Sequence, residues 1–292
     1  MKPAPVAVTK QPGLNLYLLG CALVAALGGL LFGFDTAVIS GTTDALRTKF
    51  GLNDNLLGFT VAIALIGTIV GSIGASRPAD AIGRRGTLAI LGVIYFVSAL
   101  GCALSWDWWS FLLFRFIGGL AVGGASVVSP LYIAEVSPAQ YRGRMVAITQ
   151  FNVVFGILLA YVSNFVIGSL HLGENEWRWM FGVMAVPSAV FFLLIFLTPQ
   201  SPRWLVARGR LEEARAVLAR CGSDTAGVED EIRAIQHSID PAHHGPREPF
   251  YCRRYARPIQ LAVAIAVFNQ LSGINAVLYY TPAIFKMAGA GV

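Results

Sequence analysis

LNLYLLGCALVAALGGLLFGFDTAVIS, residues 14–40, carries a single charged residue, Asp35, and no Lys, Arg, Asp or Glu falls between Lys10 and Asp35. At about 1.5 Å of rise per residue, roughly 20 apolar residues in a helix cross the ~30 Å hydrocarbon core of a bilayer. A backbone in lipid must satisfy its hydrogen bonds within its own segment, so the stretch is predicted to be a membrane-spanning helix. It is too long for the apolar region of a cleaved secretory signal, and further spans follow it.

Six more windows lack charge in the same way: Asp54 to Arg77, Arg85 to Asp107, Arg115 to Glu135, Arg144 to Glu174, Arg178 to Arg203 and Arg257 to Lys286. They place spans near 56–76, 87–106, 108–135, 144–170, 177–198 and 258–286, seven with the first. The fold class is therefore an all-α polytopic membrane protein.

Composition agrees. Of 292 residues, 55% are hydrophobic and only 13% charged, with a mean hydropathy of +0.63. That is about half the charge a soluble globule of this size needs on its surface. The net charge of +6 is a matter of topology. The N-terminus and the loops after spans two, four and six hold seventeen basic residues, among them ten arginines from Arg203 to Arg257. The other side holds Arg47, Lys49, Arg178 and Lys286, and Arg115 lies within a span. The positive-inside rule puts the N-terminus in the cytoplasm of a multi-pass protein of the cell (inner) membrane. Nothing speaks for nucleic acid.

The cysteines Cys21, Cys102, Cys221 and Cys252 are scattered and form no C-x-x-C pair, which reads as inert thiols. The histidines cluster only at His243-His244, beside Gly245 and Pro246, in what reads as a solvated linker. No metal, cofactor or enzyme chemistry is expected, because no nucleophile–base pair, ligand set or phosphate loop is in view.

Residues 201–257 form the one long polar stretch. Leu211 to Leu218 and Val228 to Ile239 set apolar residues at helical spacing among charges, which predicts short amphipathic helices. The expected domains are a six-span bundle over 1–200, a cytoplasmic linker over 201–257, and the first helix of an incomplete second bundle over 258–292. Many transporters join two six-helix halves in this way, each half built from inverted three-helix repeats. A complete seven-span receptor would put its N-terminus outside, against the charge count.

An ionised group at the bilayer centre costs about 2.5–3.5 kcal/mol on insertion scales, so such residues are read as functional. Asp35 lies about twenty residues into span one, and Arg115 about seven into span four, which runs the other way. The depths agree, and these spans open the two repeats, so the two side chains are predicted to face each other across a central cavity. A carboxylate whose surroundings change in a transport cycle can take up a proton at one face and release it at the other. A static ion pair that steadies packing is the alternative, and depth alone leaves open that Asp35 simply ends span one at the interface. Span five carries Gln150 and Asn152. Span seven carries Asn269, Gln270, Ser272, Asn275, Tyr279 and Tyr280 around Gly273. Amides and aromatic rings together suit an uncharged, hydroxyl-rich ring such as a sugar, although single amides also bond to neighbouring helices. Gly118-Gly119 and Gly123-Gly124 in span four suit close helix packing.

Seven stretches in order carry a family resemblance. They are Gly33-Phe34-Asp35-Thr36-Ala37-Val38-Ile39-Ser40-Gly41, Asp80-Ala81-Ile82-Gly83-Arg84-Arg85, Arg115-Phe116-Ile117-Gly118-Gly119, and Pro130-Leu131-Tyr132-Ile133-Ala134-Glu135 running on to Arg142-Gly143. Trp177-Arg178-Trp179-Met180-Phe181, Ser201-Pro202-Arg203-Trp204-Leu205, and Gln270-Leu271-Ser272-Gly273-Ile274-Asn275 through Tyr279-Tyr280 complete the set. The chain resembles the sugar porters of the major facilitator superfamily, over essentially its whole length, up to the seventh helix.

The resemblance implies a truncated major facilitator fold that moves a monosaccharide, hexose or pentose, by alternating access with proton symport. A full-length protein of this kind is expected to act as a monomer in the bilayer. By the same resemblance Asp35 matches the proton-coupling aspartate of the symporters and Arg115 its partner. Phe32, Gln150, Asn269, Gln270, Asn275 and Tyr279 match sugar-site positions. Asp80, Arg84, Arg85, Glu135, Arg142 and Arg203 match a cytoplasmic charge network that latches the two halves.

Departures are Asn269-Gln270 for a paired glutamine, Gln200 for a latch glutamate, Ser76 for a glycine, Ala81 for a basic residue, and Met184 where one proton-coupled member has a glutamate. Asp35 would then carry the proton alone. A facilitative uniporter and a non-transporting sensor or truncated remnant are the rival readings. A chain ending after the first helix of a second half is expected not to transport by itself.

Overall fold

A computed structural model describes residues 15–222, 225–239 and 255–289; Lys2, Lys10, the His243-His244 pair and Cys252 lie outside them. Every regular element among the described residues is helical. In chain order they are α1 (Leu16–Val38), α2 (Thr43–Phe50), α3 (Asp54–Gly74), α4 (Ser76–Ile82), α5 (Arg84–Leu104), α6 (Trp108–Val136) and α7 (Arg142–Ser169). There follow α8 (Glu176–Gly182), α9 (Ala185–Ile195), α10 (Pro202–Ala207), α11 (Leu211–Arg220), α12 (Thr225–Ile239), α13 (Ala256–Leu271) and α14 (Ile274–Met287). Seven segments are long and apolar enough to cross a membrane: α1 with the 3-10 turn Ile39–Gly41, α3, α5, α6, α7, the α8–α9 segment and the α13–α14 segment. Each lies within a few residues of its predicted place.

Polar caps set the ends. The Asn15 side chain accepts from the N–H groups of Tyr17 and Leu18, satisfying donors that the first turn of α1 leaves free. Asn53 does the same for α3, and Asp107 with Ser110 forms a reciprocal box at the start of α6. Trp106, Trp109 and Trp179 stand exposed at that end of the bundle, as the aromatic belt of a membrane interface does. Between the ends, the outer faces carry exposed Ile69, Leu113, Phe151 and Leu193, which suits lipid.

Two predicted spans are broken. In the sixth, Pro187 has no N–H for the carbonyl of Val183, which accepts from Val186 instead, and the chain turns between α8 and α9. In the seventh, Gly273 takes a left-handed φ of 73° between α13 and α14, and Tyr280 leaves helical geometry two residues before Pro282.

Inside, α1 packs on α7 and α3 on α6. These contacts are backbone to backbone. A Cβ on Gly33 would sit 1.9 Å from the Val153 carbonyl oxygen, and one on Gly123 would sit 2.1 Å from that of Thr68. If α1, α3 and α5 form one repeat and α6, α7 and α8–α9 its inverted copy, these two contacts are the same contact seen twice. The expectation of close packing at the glycines of span four holds at Gly119 and Gly123 against α3.

The amphipathic helices predicted in the polar stretch are α11 and α12, joined by Arg215 to Glu229 at 2.7 Å. They sit at the α1 N-terminus, where the Asn15 amide donates to the Arg220 carbonyl at 2.6 Å and the Arg220 guanidinium lies 4.2 Å over the Tyr17 ring.

Candidate transport site

Arg115 Nη1 and Asp35 Oδ1 are 2.6 Å apart, with side chains 3% and 9% exposed. Helix α1 continues past Asp35 to Val38 and a 3-10 turn to Gly41, and Asp35 is buried within the bundle. The Arg115 guanidinium also lies 5.5 Å from the centre of the Phe181 ring, which adds a cation–π contact from α8. Tyr95 closes the neighbourhood by donating its hydroxyl to the Leu31 carbonyl, one turn before Asp35. A pair this deep persists only because each partner compensates the other; deleting either typically costs about 3–5 kcal/mol.

Beside the pair lies a cavity of about 930 Å³, lined from α1, α3, α6, α7 and the α13–α14 segment. Phe32, Gln150, Asn269, Gln270, Asn275 and Tyr279 all line it, so the structure brings the six sequence-predicted residues to one place. The Asn275 amide donates to Gln270 Oε1 at 2.9 Å, bridging the break at Gly273. The bond leaves the Gln270 amide as a donor and the Asn275 oxygen as an acceptor, complementary to vicinal hydroxyls. Asn152, also on α7, is buried, and its amide turns back to the Ile148 carbonyl at 3.0 Å, a structural use. Sequence reasoning missed Thr36, Thr68, Ser126 and Thr149, which line the same cavity. Thr36 alone carried a signal, as the residue next to Asp35 and a turn beyond Phe32.

At the other end of α6, Arg84 Nη2 donates to Glu135 Oε1 at 3.0 Å, while Nε is 2.9 Å from Oε2 but off the hydrogen-bond axis. Arg84 Nη1 lies 3.0 Å from Asp80, and the Ser201 hydroxyl, which caps α10, donates to Glu135 Oε2. Arg85 goes elsewhere, to the Phe196 carbonyl at 2.7 Å and over the Phe196 ring. Arg203 is exposed and shares a small cavity with Asp80 and Arg84. Arg142 is exposed at the start of α7 and pairs with no described carboxylate.

The profile of the family described as "Sugar (and other) transporter" matches residues 21–291. The chain belongs to the sugar transporter family. Among curated sugar transporters, it is 38% identical to the D-xylose-proton symporter of Escherichia coli K12, over 94% of this chain and 61% of that protein. It is 35% identical to the arabinose-proton symporter of Bacillus subtilis 168, over 98% of this chain and 62% of that one. The chain thus spans about three fifths of the length of these relatives. The E. coli xylose transporter XylE, in a partially occluded inward open conformation, superposes with a TM-score of 0.82 at 37% identity, covering 92% of this chain and 67% of that one. This sugar transporter family member thus has the major facilitator architecture that the motifs implied.

Proposed function

We propose that the protein moves a monosaccharide across a membrane by alternating access, coupled to proton symport. The observation that carries this reading is the buried Asp35–Arg115 pair placed beside an amide-lined cavity. Asp35 is the proton site in this scheme and Arg115 the cation that its ionised form answers to. Phe32, Gln150, Asn269, Gln270, Asn275 and Tyr279 hold the sugar. Relatives named for xylose–proton and arabinose–proton symport support both halves of the proposal.

In the same reading the N-terminus and α10–α12 are cytoplasmic, with 1–200 as the first bundle, 201–257 as a linker and 258–292 as the start of the second. Asp80, Arg84, Arg85, Glu135, Arg142 and Arg203 then belong to the cytoplasmic latch, of which Asp80, Arg84 and Glu135 are already joined. Such pairs contribute little singly near water, yet as a network they bias a two-state equilibrium by a few kcal/mol.

The test is uptake of radiolabelled hexose and pentose into vesicles under an imposed proton gradient, comparing wild type with Asp35→Asn. It is run on this chain and on a version extended with the C-terminal part of a relative. Gradient-dependent uptake by the extended protein that Asp35→Asn abolishes is the expected result. Uptake that ignores both the gradient and the substitution would leave Asp35 as a packing residue and make the protein a facilitator.

A further inference from the structure

Pro282, inside α14, has no N–H to give to the carbonyl of Leu278 four residues earlier. In lipid or a dry interior, an unanswered carbonyl is costly. The Tyr161 hydroxyl on α7 supplies the missing donor, 2.9 Å from Leu278 O and 3.1 Å from Thr281 Oγ1. The Thr281 hydroxyl already donates to Val277 O at 2.6 Å, so it can only accept. One tyrosine proton is therefore shared between two acceptors, both on the turn that the proline loosens.

This turn has few other anchors. Every described residue of α13 is half-buried or exposed, whereas α14 packs on α1 and the Ile39–Gly41 turn. Helix α14 is bounded by the left-handed Gly273 and kinked at Tyr280. Between these two joints lie Asn275 and Tyr279, both lining the large cavity. That cavity runs along α7 from Gly143 to Val153, and Tyr161, about two turns further on, meets α14 at the residues that flank Tyr279.

We propose that the Tyr161 hydroxyl is a positioning group: by answering the carbonyl that Pro282 orphans, it holds the kinked seventh span against α7 and sets Asn275 and Tyr279 for ligand. The ligand half of this inference rests on the sugar reading above; the hold of Tyr161 on α14 does not.

The experiment is a double-mutant cycle on the full chain in lipid nanodiscs, with Tyr161→Phe, Pro282→Ala and their combination. Hydrogen exchange of the 274–287 amides is read first, and D-xylose binding second. Loss of one net hydrogen bond should speed exchange about two- to tenfold in Tyr161→Phe. Pro282→Ala restores an N–H to Leu278 O, so in that background Tyr161→Phe should change exchange little. Thr281→Val, which removes the second acceptor, should give a smaller acceleration. Exchange unaffected by Tyr161→Phe, or accelerated equally in both backgrounds, overturns the proposal. If wild type gives the expected exchange pattern but does not bind D-xylose, the hold of Tyr161 on α14 stands and the choice of sugar falls. If it binds D-xylose with an affinity that Tyr161→Phe leaves unchanged despite faster exchange, the positioning role is overturned.

Discussion

Arg84 and Glu135 meet through two contacts of 3.0 and 2.9 Å, joining the first turn of α5 to the last turn of α6, with both side chains nearly buried. Asp80, the other carboxylate on Arg84, is 73% exposed. The two carboxylates hold the same cation with very different solvation, and the energetic weight falls on Glu135.

Glu135→Gln should therefore destabilise the protein by about 1–3 kcal/mol, since Arg84 keeps only the screened Asp80. Asp80→Asn should cost less than half as much. Denaturation in lipid or mild detergent measures both; equal effects would show that burial does not separate the two carboxylates.

Asp35→Asn and Arg115→Gln should each cost about 3–5 kcal/mol, because each leaves an uncompensated buried group. The double variant should cost clearly less than the sum. A simple sum in the same denaturation experiment would mean that the two residues do not depend on each other for burial.

Gly33→Ala should prevent α1 from seating on α7, because the new methyl would meet the Val153 carbonyl oxygen at 1.9 Å. Gly20→Ala on the same helix meets nothing within 4 Å and should be silent. Yield of monodisperse protein distinguishes them, and a well-folded Gly33→Ala protein would contradict the packing described.

Cys221, at the end of α11 and outside the spans, is 1% exposed, and burial pushes its thiol from about 9.0 up to about 12. Folding thus favours the protonated thiol: the stability this gives is complete below pH 9 and is lost as pH rises from 9 towards 12. At pH 8 the native thiol should resist maleimide and react only on unfolding. Mass spectrometry of a Cys252→Ser variant, which removes the thiol outside the described residues, reads this directly. Fast labelling of Cys221 in native protein would refute its burial.

The spans were legible because charges mark where lipid ends, and the Asp35–Arg115 pairing because few charges survive between those marks. The breaks are written in Pro187, Gly273 and Pro282, but charge-free windows pass over them, since they measure length and ignore curvature. Helices α2, α4 and α10 are too short to show a period, although Gly51 in its left-handed turn and the Ser201-Pro202 cap announced two of their ends. The amides of the cavity stood out because such groups are rare in lipid-facing helices. Thr149 and Tyr161 did not, because threonine and tyrosine are ordinary in spans and only three-dimensional neighbours give them a task.

The contacts of Gly33 with Val153 and of Gly123 with Thr68 have a mechanical meaning. Where two backbones touch with no side chain between them, nothing is left to re-rotamerise, so α1 with α7 and α3 with α6 behave as two stiff levers. Bending is then left to the joints between α8 and α9, at Gly273 and at Tyr280, and to Pro130 in α6, beyond its contact with α3. Gly273 and Tyr280 bracket Asn275 and Tyr279, and Gln270 stands just before the first of them, so levers and cavity share a hinge.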